Sequence, residues 1–444
     1  MGKNKENLEN KKLKDDNEKR QKAPHRPLRW DKLDNTAILF PVIAGEGMTN
    51  TFRMSMELNE EIKPSLLQQA LDIILPKFNG FNVRLRMGVF WYYFEENNNP
   101  APRVVEEELF PCRYIQPNKN NAYLFSVSYY KCRINLEVFH VLTDGMGGMN
   151  FIRELTYQYL RLAHPELNAK DKLSDVTSLN QEDSFEKNYR GGKKRNYTTD
   201  PAYLIKLKKL DKGEFGVMHG LINIPELKVV TKRLGVSINE YLVSVFVWAV
   251  YVQCLHKAPS KKPIRVAVPV NLRPFFNSTT TKNFFAIASA EFHPIEEEYT
   301  FEDILYTIQK SLKSQIQKEN LMELFSASVA NQQNKLLRMV PLSLKNLVMR
   351  LVYNRSALAH TSTITNVGFM KLDPVYEPYV KMFRAFIAMS KGQSIKGTVS
   401  SYKDTLVFSF SSIFLDTSVQ KEFFRKIAED GVSVQIETNG VYYE

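Results

Sequence analysis

Apolar residues recur along this chain with two periods, and the switches between them mark out its elements. From Thr51, TFRMSMEL puts Phe52, Met54, Met56 and Leu58 on one side of an extended chain, the pattern of a half-buried strand. The next apolar residues, Leu67, Ala70, Leu71, Ile74 and Leu75, fall at helical spacing behind Pro64, which suits a first helical turn. FNVRLRMGVFWYYFEE then reads as a strand pair bent at Gly88, with Trp91, Tyr92 and Tyr93 forming an aromatic strand that faces a core. A second pair, YLFSVSYYKCRINLEVFH, turns near Lys131. MNFIRELTYQYLRL follows as a helix with Phe151, Ile152, Leu155, Tyr159 and Leu162 on one face.

From residue 165 to about 213 the periodicity fades into Lys, Asp, Asn and Gly, as in RGGKKRN, and a crossover between two lobes is expected there. The pattern resumes with the strand GVMHGLINI. Ser237–Glu240 has the form of a capping box ahead of an apolar helix over 238–255. The strand IRVAVPVNL, the capped helix TFEDILYTIQKSLKSQI, a strand pair turning at Lys403–Asp404 and the helix SVQKEFFRKIAED complete the series. Strands and helices alternate in both halves, so the fold class is α/β. The expected division is an N-terminal lobe over 31–165, a crossover over 166–213 and a C-terminal lobe over 214–444, with no internal repeat.

Composition changes this picture in a few places. A chain of 444 residues exceeds one ordinary core, in keeping with two lobes. Segment 1–30 carries ten Lys/Arg against five Asp/Glu and almost no large apolar residues; it reads as a disordered basic arm without the apolar core of a signal peptide. The formal net charge is +12, but basic residues outside the arm are scattered and no basic–aromatic nucleic-acid motif occurs. An acidic carrier protein, a phosphorylated co-substrate, a membrane surface and a plain basic solvated surface all remain compatible with that charge. Cys112, Cys132 and Cys254 are odd in number and lack paired spacing, which points to a reducing, cytoplasmic setting and away from disulfides, a zinc site or a cysteine acyl-enzyme. The longest apolar stretch, from Tyr241, runs about fifteen residues, short of the roughly twenty that a membrane span needs. A monomer with an internal site is expected.

LEVFHVLTDGMGGMNF, at 136–151, carries the candidate chemistry. His140 follows Ile134, Leu136 and Val138 on one strand face, so it is either a hydrogen-bonded core residue or a base held in a dry tunnel. Asp144 can hold the loop or orient the ring. Gly145, Gly147 and Gly148 allow a sharp turn or a close backbone approach. A partly desolvated imidazole stays neutral near pH 7, as a general base must. His219, His256, His293 and His360 have no metal spacing and no such partner, and are expected to be structural or surface residues.

HVLTDG matches HxxxDG, the signature of the chloramphenicol-acetyltransferase-like superfamily of condensation domains, plant BAHD enzymes, wax-ester synthases and alcohol acetyltransferases. Many members write HHxxxDG; here Phe139 takes the first position and His140 matches the base. VPVNLRPFF (268–276), KNFFAIAS (282–289) and TITNVG (363–368) resemble second-lobe segments of the alcohol-acetyltransferase-like members, while the BAHD motif DFGWG is absent.

The resemblance spans roughly residues 30–440. It implies two chloramphenicol-acetyltransferase-like lobes, each a mixed sheet flanked by helices, with a tunnel between them and His140 midway. It further implies acyl-CoA, such as acetyl-CoA, as co-substrate without a permanently bound cofactor, an alcohol-type acceptor, and His140 taking the acceptor proton. Asp144 is implied to be structural and paired with Arg273, and Gly145 to keep the acceptor path open. Ser362, Thr365, Asn366 and Asn283 become candidates for binding the substrate and its oxyanion. Two other readings stay open: a free-standing condensation enzyme served by an acyl carrier protein, and a non-catalytic binding protein on the same fold.

Overall fold

The computed structural model of the chain describes residues 29–108, 110–167, 181–191, 197, 200–296 and 298–441. The expected disordered arm falls outside them up to residue 28, and Trp30 already opens the first strand. Parts of the expected crossover, 168–180, 192–196 and 198–199, also lie outside the described residues.

The first half lays down β1 (Trp30–Lys32), β2 (Thr51–Leu58), β3 (Val83–Met87), β4 (Tyr92–Glu96), β5 (Val105–Glu106), β6 (Phe125–Tyr130) and β7 (Arg133–Phe139), with helices α1 (Pro64–Ile74) and α2 (Gly145–Ala163). The second half adds β8 (Gly216–Asn223), β9 (Ile264–Asn271), β10 (Phe285–Phe292), β11 (Ser362–Phe369), β12 (Val380–Ile387), β13 (Ile395–Tyr402), β14 (Thr405–Ser412) and β15 (Val434–Thr438). Among its helices, α3 (Ile238–Gln253), α4 (Phe301–Gln315) and α5 (Ser418–Glu429) are packed against one another through α3. The capping box expected at Ser237–Glu240 is formed in both directions, and Thr300–Asp303 makes a second one ahead of α4.

These elements form two large mixed sheets. One runs β12-β2-β7-β6-β5, with α1 and α2 burying its apolar face around Leu67, Leu71, Phe151 and Leu155. The other runs β10-β9-β11-β13-β14-β8-β15, with β11 parallel to both neighbours and α3, α4 and α5 over a core that holds Phe246, Phe408 and Phe423. The chain therefore has the expected α/β fold of two lobes, each a mixed sheet flanked by helices. Among the described residues no single helix is long and apolar enough to cross a membrane.

Three details differ from the sequence pattern. First, β12 does not stay with the second half. It pairs antiparallel with β2 from Val380↔Leu58 to Ile387↔Phe52 and becomes an edge of the first sheet, and Met370, Leu372 and Tyr376 join that core. A boundary that assigns all of 214–444 to one lobe therefore misplaces this strand. Second, β2 is buried on both faces rather than one. Arg53 on its polar side is buried in an ion pair with Glu137 of the neighbouring β7 at 2.8 Å. Third, Trp91 is exposed at the tip of the β3–β4 hairpin, which forms a separate small sheet with β1 and buries mainly Phe94. The aromatic run there is not a core strand.

Candidate active site

His140 stands one residue beyond β7, its backbone N–H donating to the Asn50 carbonyl at 2.9 Å. Four residues on, Asp144 caps α2 by accepting the Met146 N–H at 3.1 Å. Between and behind them the chain packs tightly against the loop of residues 278–284 from the second half. Thr143 donates its hydroxyl to the Thr281 carbonyl, and a Cβ on Gly147 would lie 2.7 Å from that same oxygen. Glycine is thus required at 147 for α2 to start where the second lobe touches it.

Asp144 and Arg273 are 129 residues apart in sequence and form a two-pronged ion pair across the lobe boundary. Arg273 Nη1 donates to Asp144 Oδ2 at 2.8 Å and Nη2 to Oδ1 at 3.0 Å. Both side chains are buried. Remaining capacity is filled: Phe284 N–H donates to Asp144 Oδ2, while Arg273 also donates to the carbonyls of Thr280 and Lys282. The aspartate faces the arginine and the backbone of α2, which gives it an architectural role in holding the 278–284 loop against the motif.

That loop delivers Asn283 to the back of the histidine. His140 Nδ1 and Asn283 Oδ1 are 2.9 Å apart. The amide NH₂ group faces Asp34 Oδ2 at 2.9 Å and the His140 carbonyl at 3.3 Å. Since both of those neighbours are acceptors, Asn283 Oδ1 must be the acceptor toward the ring, and the proton sits on Nδ1. Nε2 is left as an unprotonated base. Asp34, 1% exposed, anchors the chain by also accepting the Ala37 and Asn283 backbone N–H groups. Burial pushes its carboxyl up to about 7, although Asn283 and Ala37 pull it down.

Aromatic rings enclose the imidazole. Phe40 stacks on it with centroids 4.7 Å apart, Phe52 meets it edge-on at 5.2 Å, and Phe285 tilts against it at 5.8 Å. This dry cage disfavours the imidazolium and holds the His140 pKa below its usual value; Asp144 and Asn283 offset part of the effect, and Lys396 adds to it. The ring borders a cavity of about 250 Å³ between the lobes, lined also by Gly145, Asn271, Thr363, Thr365, Asn366 and Lys396. A bulge in β11 between Asn366 and Gly368 aims Val367 at Gly145; a Cβ there would sit 3.2 Å from Val367 Cγ1.

The candidate substrate contacts separate into two groups. Thr365 and Asn366 line the cavity. Ser362 does not line the cavity: fully buried, it donates to the Ile395 carbonyl because its strand position faces the neighbouring β13. Asn283 lies behind the histidine, bonded to its Nδ1 and to Asp34, and does not line the cavity. Sequence reasoning missed Asp34 and Lys396 altogether; neither stands in a motif, and each is brought in by tertiary packing. Cys112 is buried with its thiol pushed well up by burial, and Cys254 is pushed up to about 12, which leaves no thiolate at either site. His219 and His360 are hydrogen-bonded to Ser409 and Ser289, and His293 to the Ser260 carbonyl near the surface.

This architecture is the two-lobed chloramphenicol-acetyltransferase-like fold. No family model matches the chain, and no curated protein matches it. Solved structures do. Polyketide synthase associated protein 5 from Mycobacterium tuberculosis is 12% identical with a TM-score of 0.59, covering 89% of this chain and 97% of its own. F. sporotrichioides TRI101, solved with coenzyme A and T-2, is 12% identical with a TM-score of 0.59, covering 91% and 99%. The first condensation domain of the calcium-dependent antibiotic synthetase, in complex with a substrate analogue, is 11% identical with a TM-score of 0.59, covering 92% and 99%.

Proposed function

We propose that this protein is an acyltransferase that moves an acyl group from a thioester, acyl-CoA, to the hydroxyl of an alcohol acceptor, with His140 as general base. The observation that carries this reading is the fixed tautomer: Asn283 holds Nδ1–H, which leaves Nε2 unprotonated on a ring that lines a cavity between the lobes. The acceptor O–H gives its proton to Nε2 as its oxygen bonds to the thioester carbonyl carbon. The resulting tetrahedral oxyanion collapses, the C–S bond breaks, and Nε2–H returns the proton to the departing thiolate. No acyl-enzyme is required, because two substrates held beside one base gain most of their advantage from proximity. Thr365 is the side chain suited to donate a hydrogen bond to the oxyanion, since it carries a hydroxyl in the cavity wall. Gly145 keeps the passage beside the histidine open.

The proposal is tested by incubating the purified protein with acetyl-CoA and a panel of alcohols and following thiol release and ester by mass. Ester formation with free acetyl-CoA supports it. Ester formed only when the acyl group is carried on an acyl carrier protein moves the donor to the alternative reading, and binding of CoA without turnover across the panel favours a non-catalytic role.

A further inference from the structure

The cavity wall contains a charge that acyl transfer does not use. Lys396, on β13, is 5% exposed and lines the same cavity as His140. Its neighbours on the strand, Ile395 and Val399, turn into the second core, while the lysine turns the other way toward the space between the lobes. An ammonium group has three N–H bonds to place. Here Nζ meets a single side chain among the described residues, the Ser390 hydroxyl at 2.5 Å, and no carboxylate lies within ion-pair distance. The other charged residues of the wall cancel: Asp144 and Arg273 are locked to one another. Lys396 is therefore a buried amine whose protonated form finds no counter-charge in the described chain. Such a group is expensive to bury without a partner, and the dry setting pulls its pKa down to about 7. Nothing in the packing explains a lysine here, since a methionine would fill the same volume without the desolvation cost.

We propose that Lys396 and Ser390 form a carboxylate-binding subsite inside the cavity, so that one of the two substrates carries a carboxylate remote from its reacting atom. A carboxylate matches the geometry of one ammonium and one hydroxyl. The Thr363 hydroxyl beside them is committed to Gln393 and adds no donor. The inference rests on the acyl-transfer reading for the identity of the two substrates. The carboxylate belongs either to the acceptor, a hydroxy acid, or to the acyl group, a half-thioester of a dicarboxylic acid.

Matched pairs separate the two sources. In one arm, 6-hydroxyhexanoate is compared with its methyl ester as acceptors for acetyl-CoA. In the other, glutaryl-CoA is compared with pentanoyl-CoA as donors to hexanol. In one arm the carboxylate member should be favoured in kcat/KM by about 10- to 100-fold, the range of a charged hydrogen bond in a dry site. That ratio should collapse toward one in Lys396→Met and be largely restored in Lys396→Arg. Turnover of the neutral substrates with no carboxylate preference in either arm overturns the subsite and leaves acyl transfer standing. So does a preference that survives in Lys396→Met. Should no pair turn over, calorimetric binding of 6-hydroxyhexanoate and of glutaryl-CoA to the wild-type protein and to Lys396→Met decides the matter independently of activity. Binding of either ligand that weakens at least tenfold in the variant supports the subsite, whereas binding of neither, or equal binding to both proteins, ends it.

Discussion

Asn283 accepts the Nδ1–H of His140 at 2.9 Å while its own amide nitrogen is turned to Asp34. The two residues come from different halves of the chain, 143 positions apart. The relation fixes the imidazole in one tautomer and one orientation, and it needs residues from both halves of the chain. Replacing Asn283 with Ala leaves Nδ1–H without a partner in a dry site and frees the ring to turn. The expected loss in kcat is about 10- to 100-fold, a fall comparable to that for removing a partner that orients a reactive histidine. Steady-state kinetics on the folded variant check this. An unchanged kcat would mean that the aromatic cage alone orients the ring.

The same cage sets the pH dependence. His140 must be neutral to accept a proton, and burial lowers its pKa below the usual imidazole value of 6.5. Activity should rise with pH as the imidazolium loses its proton, with an inflection below the ordinary imidazole value. A profile of kcat/KM between pH 4.5 and 8 measures the inflection. In Asn283→Asp a carboxylate beside Nδ1 stabilises the imidazolium, so the inflection should move to higher pH.

Arg273 holds the lobe boundary through Asp144. Arg273→Met strands a buried carboxylate, and a stability loss of about 3–5 kcal/mol is expected. Asp144→Asn combined with Arg273→Met should cost less than the sum of the single changes, because the second substitution removes the group that the first leaves unpaired. Urea unfolding of the four proteins measures the coupling; strict additivity would show that the pair contributes no coupling energy.

Gly145 packs against Val367 at the wall of the cavity that His140 also lines. Gly145→Val places new methyl groups against Val367 Cγ1, already 3.2 Å from where a Cβ would stand. The α2 helix tolerates the residue, so the change should narrow the passage more than it unfolds the protein. KM for bulky alcohols should rise at least about tenfold, with the thermal midpoint moving by only a few degrees. Equal effects on large and small acceptors would place the acceptor path elsewhere.

The elements with a clean period were legible in the sequence. The alternation of Phe52, Met54, Met56 and Leu58 became β2, and the Ser237–Glu240 cap became the start of α3. The motif also placed His140, Asp144 and Gly145 around one cavity. What stayed hidden depends on contacts that skip most of the chain. The transfer of β12 to the first sheet is a pairing between residues more than 300 positions apart, and β12 looks like any other strand of its own half. Asn283 was visible as a polar residue in a suggestive segment, but whether it faced substrate or the back of the imidazole depended on the path of the 278–284 loop. Asp34 and Lys396 are isolated charged residues in sequence, and only burial distinguishes them from the surface ones.

The most direct measurement of the central claim is thiol release by His140→Ala, run beside the wild-type protein with acetyl-CoA and an alcohol that the wild type esterifies. Loss of the general base predicts a fall in kcat of about 10²- to 10⁴-fold with the fold intact by circular dichroism. Wild-type turnover by a correctly folded His140→Ala protein would contradict the account.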